Sequence, residues 1–189
     1  MATTIASDRS PEDWVRAAGR RLAQGGAGAV AVEALARDLG VTKGSFYWHF
    51  RDRASLLAAL LADWERRSTE PLLVRLRRSG GGPEARLGQL AATVAGEGGG
   101  ALDPAIRGWA QHDARARAAL RRVDRIRLDF IAGEFKALGF DAPAAWTRAR
   151  LFYLHLLGEH ALVLDELALD GRLLEAERVL AILTKSTTR

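Results

Sequence analysis

Val32–Leu56 reads VEALARDLGVTKGSFYWHFRDRASL, two short helical patterns on either side of a glycine. Val32, Leu35, Ala36 and Leu39 recur at i, i+3, i+4, i+7, the apolar stripe of an amphipathic helix, and Arg37 and Asp38 fall off it. Gly40 follows at once, where a helix commonly ends in a left-handed residue that glycine adopts cheaply. Thr42 then reads as the N-cap of a new helix, with Val41 placed to staple onto Phe46. Helix, glycine turn and capped helix make a helix-turn-helix.

Projected at 100° per residue, the second helix divides its duties. Phe46 and Phe50 share a face and are expected in the core. Gly44, Ser45, Tyr47 and Trp48 point away from them, with Lys43 and His49 on the flanks. A helix is a poor place for Gly44, which costs roughly 1 kcal/mol against Ala, unless its backbone must approach something closely. Thr42, Lys43 and Gly44 open the helix, where free N–H groups suit a phosphate or a base edge. An outward face of this make-up fits the DNA major groove. The competing reading is that Tyr47 and Trp48 pack against a neighbouring helix.

The segment resembles the DNA-binding region of the tetracycline-repressor (TetR) family of bacterial transcriptional regulators. The resemblance rests on Leu35-Ala36, Gly40-Val41, Thr42-Lys43-Gly44-Ser45, Phe46, Tyr47, Trp48-His49-Phe50, Arg53 and Leu56, and extends from Pro11. Arg53 departs from the family's usual lysine, and Ala31-Val32-Glu33 is a weak form of the usual lead-in. The resemblance implies an all-α chain of about nine helices, with a DNA-binding domain at residues 10–51 and a ligand-binding and dimerisation domain at 52–189. It also implies a double-stranded, palindromic DNA operator as partner. Tyr47, His49 and Arg53 would hold phosphates, Lys43, Gly44 and Trp48 would approach base edges, and Thr42 and Ser45 would do either.

The flanking sequence agrees. Ser10-Pro11-Glu12-Asp13 is a dense helix start, and Trp14, Ala18 and Leu22 follow at i, i+4, i+8 before Gly25-Gly26. Asp52 is placed to cap a helix opening at Arg53. The 189 residues carry a formal charge of +5, which favours a polyanion. Only eight Lys and Arg stand against six Asp and Glu through Arg53, so the motif, not bulk charge, carries the nucleic-acid reading. The absence of cysteine excludes disulfides and thiolate chemistry. The first ten residues lack an apolar run, and Leu151–Leu169 is interrupted by His155, Glu159, His160, Asp165 and Glu166. Neither a secretory signal nor a membrane span is expected, and the expected location is cytoplasmic.

Beyond Leu56 the pattern is helical throughout. A long helix is expected from Arg53 to about Arg78, kinked or split near Pro71. Further helices are expected from Pro83 to about Ala95, over Pro104–Trp109, from about Ala114 to Leu138, over Pro143–Leu167 and over Leu173–Leu183. Gly80–Pro83 and Gly96–Gly100 read as loops; they lack the Lys-Ser/Thr of a nucleotide-binding loop. The Pro143–Leu167 segment is apolar almost all round and must be covered on more than one side. In the family it resembles, the last two long helices pair with their twins, so a homodimer is expected.

Trp109, His112, Phe130, Phe135, Trp146, Phe152, Tyr153 and His155 are candidates to line an apolar pocket for a small-molecule effector; each also suits ordinary core packing. His155, Glu159 and His160 do not match the spacing of the helical zinc motifs, and no metal or cofactor is expected. No nucleophile–base constellation supports an enzyme. The expectation is a ligand-responsive repressor; the alternative is a non-specific nucleic-acid-binding or architectural protein.

Overall fold

The chain's first helix, α1 (Pro11–Gly25), begins with a reciprocal cap: the Asp13 amide donates to the Ser10 hydroxyl at 3.3 Å, and the Ser10 amide donates to the Asp13 carboxylate at 3.0 Å. This capping box satisfies donors that the first turn leaves without intrahelical partners. In the computed structural model, residues 9–97, 102–159 and 169–185 are described. Among them are a 3-10 turn at Ala27–Ala29 and the helices α2 (Val32–Leu39), α3 (Lys43–Tyr47), α4 (Arg53–Ser68), α5 (Glu70–Arg78) and α6 (Pro83–Glu97). They continue as α7 (Leu102–Ala110), α8 (Ala114–Ala137), α9 (Ala142–Gly158) and α10 (Leu169–Thr184). No strand occurs among the described residues, so the expected all-α class is observed.

The helix expected from Arg53 is split at Thr69, with Pro71 in the first turn of α5. Proline has no N–H to donate, and its ring crowds the carbonyl four residues back, so a continuous helix is interrupted there. The break is held from outside: Arg127 donates to the Ser68 carbonyl at 3.3 Å and to the buried Thr69 hydroxyl at 3.1 Å. Gly96, expected in a loop, continues α6; Gly98–Gly100 lie outside the described residues.

Two compact units divide the chain. The first comprises the described residues up to 67 together with 102–121. Its core contains Trp14, Ala18, Leu22, Leu35, Phe46, Leu56, Leu60 and Ile106. The stripe predicted for α2 is buried in full, and Arg21 ties α1 to α2 by paired 2.7 Å hydrogen bonds to Asp38. The second unit comprises residues 68–97 and those from 122 onward. Leu76, Leu87, Ile131, Phe135, Phe152 and Leu180 fill its core. Arg86 on α6 grips one oxygen of the buried Glu134 on α8 from both Nε and Nη2, at 2.9 and 2.6 Å. No described helix is long and apolar enough to cross a membrane.

Candidate nucleic-acid interface

The turn before α3 is set by Gly40, whose φ of 69° and ψ of 31° place it in the left-handed region. That conformation lets the Gly40 and Val41 amides close back on carbonyls of α2, the latter on Ala36 at 3.0 Å. The chain then enters α3 through Thr42. Thr42 occupies the N-cap, but its hydroxyl makes no capping bond, and the Ser45 amide donates to the Thr42 carbonyl at 3.1 Å instead. The expected side-chain cap is therefore corrected to a backbone one.

Two aromatic rings anchor this short helix. Phe46 is fully buried and stacks on Phe50 at 5.6 Å, while Trp14 of α1 meets Phe46 edge-on at 5.3 Å. Such contacts lock α3 rotationally against α1. The opposite side is left to solvent. Trp48 is 86 % exposed and Tyr47 55 %, and Thr42, Lys43 and Gly44 are exposed as well. Tyr47 leans edge-on against Phe46 at 5.2 Å, but Trp48 is not packed against a neighbouring helix. Ser45 and His49 are half-buried at the margins.

Gly44 has no internal reason to be glycine. Its φ is not positive, and a Cβ built on it meets only the Thr42 hydroxyl, at 3.6 Å, an ordinary contact. The space it keeps open lies on the outward face.

The cations on this face have partners. Lys43 forms an ion pair with Glu33 of α2, and both side chains remain more than half exposed. The Glu33 carboxylate raises the Lys43 ammonium above its ordinary value, and Lys43 in turn holds Glu33 below its own. Arg53, expected at a phosphate, donates from Nε to the Val30 carbonyl at 2.6 Å and from Nη2 to the Ala27 carbonyl. In this structure its guanidinium braces the 3-10 turn between α1 and α2. Glu33 was not among the residues expected here. It lies off the apolar stripe ten positions before Lys43, and only the turn at Gly40 brings the two together.

The eight candidate pocket residues are divided between the two units, with Phe135 and Tyr153 buried in the second. Trp109 and His112 belong to the first unit, where they line a cleft of about 590 Å³ with Leu22, Ala23, Gly26, Ala27, Gly28, Pro104, Ala105 and Gly108. Phe130, Trp146, Phe152 and His155 belong to the second. Phe152 is fully buried in its core, edge-on to Phe135 at 6.5 Å, Trp146 lies under the Arg125 guanidinium at 5.3 Å, and His155 Nδ1 sits 3.7 Å from Glu159. His160 lies outside the described residues.

Several solved structures share this fold. A transcriptional regulator from Rhodococcus sp. superposes with a TM-score of 0.71 at 20% identity, covering 93% of this chain and 96% of its own. FadR from Bacillus subtilis, solved with stearoyl-CoA, gives 0.65 at 14%, covering 93% and 98%. A transcriptional regulator from Aquifex aeolicus gives 0.70 at 13%, covering 91% and 98%. At these identities the likeness is one of fold. No curated protein matches the chain by sequence. Residues 15–60, which include the glycine turn, the buried Phe46 and Phe50 and the exposed face of α3, match the model of the bacterial regulatory proteins of the tetR family. The tetR-family likeness covers this amino-terminal segment of the chain.

Proposed function

We propose that the protein is a homodimeric, sequence-specific transcriptional repressor that acts by binding and not by catalysis, in the cytoplasm, and that a small molecule releases it from a palindromic operator. Residues 10–51 read DNA, and 52–189 bind the effector and dimerise. The observation that carries this reading is the face of Lys43, Gly44, Tyr47 and Trp48, displayed to solvent while Phe46 and Phe50 are clamped beneath it. A hydrophobic surface of that kind is costly to expose without a partner. Helix-turn-helix dimers read two half-sites about one helical turn apart, so a second copy is required.

The dimer reading is supported by α9 and α10, which leave Leu151, Leu154, Leu174 and Ile182 exposed. Those side chains suit an isologous interface, in which the same patch meets its twin. Effector control is supported by a relative of the same fold that was solved with stearoyl-CoA. An effector that prefers dimers with a different recognition-helix spacing lowers operator affinity by its differential affinity for the two states. Selection of bound sequences from a random DNA pool tests the proposal: one enriched palindrome is expected. Binding without an enriched motif would instead establish the non-specific, architectural alternative.

A further inference from the structure

We propose that Glu33 and Lys43 act as one unit that reads a single G·C base pair in each half-site, with Lys43 on guanine and Glu33 on its cytosine. The inference rests on the regulator reading above and assigns a specificity-determining role to Glu33, a carboxylate on α2.

The first observation is that the pair has little structural purpose. Both side chains are more than half exposed, and an exposed ion pair contributes little to stability. The second is its charge. A lysine already paired with a carboxylate presents no net charge, so it is a poor ligand for a phosphate, and a lone Glu33 would be repelled by one. What remains is a pattern, a donor beside an acceptor, displayed to solvent with Lys43 on the same short helix as the exposed Tyr47.

The major groove offers the complement. Guanine presents N7 and O6 as acceptors, and cytosine presents the N4 amino group as a donor. O6 and N4 are themselves hydrogen-bonded partners across the base pair, so they lie one hydrogen bond apart. The Lys43 ammonium and a Glu33 carboxylate oxygen are spaced in the same way, because they too are hydrogen-bonded to each other. Lys43 has three donors: one serves Glu33, and two remain for O6 and N7. The second carboxylate oxygen of Glu33 accepts from N4. A T·A pair offers O4 beside the adenine amino group, but the thymine methyl stands where N7 would be and meets the ammonium with carbon. An A·T pair in the opposite sense sets O4 against the carboxylate. G·C alone satisfies every group.

The test is sequence selection from a random DNA pool with the wild-type protein, Glu33→Ala and Lys43→Ala, joined to binding titrations over a range of salt. The wild type is expected to enrich a palindrome with a fixed G·C pair in each half-site. Both variants flatten that same position, with a loss of roughly ten- to a hundredfold in discrimination, and leave the other positions intact. The dependence of affinity on salt stays unchanged in Lys43→Ala, because no phosphate contact is lost. A G·C preference at that position that survives Glu33→Ala overturns this inference alone. So does a Lys43→Ala protein that weakens on all sequences with a salt slope reduced by about 1. A wild-type protein that enriches no motif overturns the regulator reading, and this inference with it.

Discussion

Gly44 and Arg53 illustrate how single side chains on this face divide between binding and folding. A Cβ at position 44 has room inside the chain, since its nearest contact is the Thr42 hydroxyl at 3.6 Å. Gly44→Ala is therefore expected to raise stability by up to about 1 kcal/mol, because alanine loses less backbone freedom in a helix. The same methyl fills the outward space, so DNA affinity should fall at least about tenfold, more than 1 kcal/mol. Thermal unfolding and fluorescence anisotropy on the selected operator check the two halves; unchanged affinity would remove the close-approach role. Arg53 works in the opposite sense. Its two carbonyl bonds brace the turn at Ala27–Ala29, and charge-assisted hydrogen bonds of this kind are worth about 1.5–3 kcal/mol each before discounting for exposure. Arg53→Ala should lower the urea midpoint, and Arg53→Lys should not restore it, because a point charge cannot serve both carbonyls. A variant that keeps its midpoint and loses only DNA affinity returns Arg53 to the phosphate role.

At the scale of the elements, α3 depends on rings rather than on its own propensity. A helix from Lys43 to Tyr47 is far too short to persist alone, so its orientation comes from Phe46, packed between Trp14 and Phe50. Phe46→Ala should cost about 3–5 kcal/mol, read from chemical denaturation, and should abolish operator binding with it. A stable Phe46→Ala protein with intact binding would show that the aromatic cluster does not set the recognition face. Local pattern made this element legible: the α2 stripe and the buried Phe46 stand where the 3.6-residue repeat places them, Gly40 is left-handed at the helix end, and Phe50 is buried although it lies beyond the last turn of α3. The pairings of Arg53 and Lys43 were not legible. Their partners lie 23, 26 and 10 residues earlier in the chain, and a repeat within one helix carries no information about a contact between elements. The pocket candidates show the same limit, since aromatic content marks a residue for burial but does not say in which core.

Over the whole molecule, charge and exposed apolar surface govern behaviour in solution. Asp13 is held below its ordinary range by the Ser10 amide and Arg16, Asp38 by Arg21, and Asp52 by the Ser55 amide. Depressed carboxylates contribute stability above their unfolded values near pH 4 and lose it as pH falls through the folded values. Stability of the first unit is thus expected to decline below about pH 4, and Asp38→Asn should flatten that decline in a urea series across pH. For the proposed dimer, the exposed leucines of α9 supply the test: Leu151→Glu with Leu154→Glu should give a folded monomer by analytical ultracentrifugation, with operator affinity lost because a lone helix-turn-helix reads one half-site. A variant that remains dimeric places the interface elsewhere. By itself the sequence determined the all-helical class, the capped start of α1 and the face that α3 turns outward, because these follow from side chains within a turn or two of one another. Only the tertiary structure decided that Arg53 braces Ala27 and Val30, that Glu33 meets Lys43, and that the pocket candidates separate into two units. Those pairings depend on how packed elements bring distant residues together, which no local periodicity specifies.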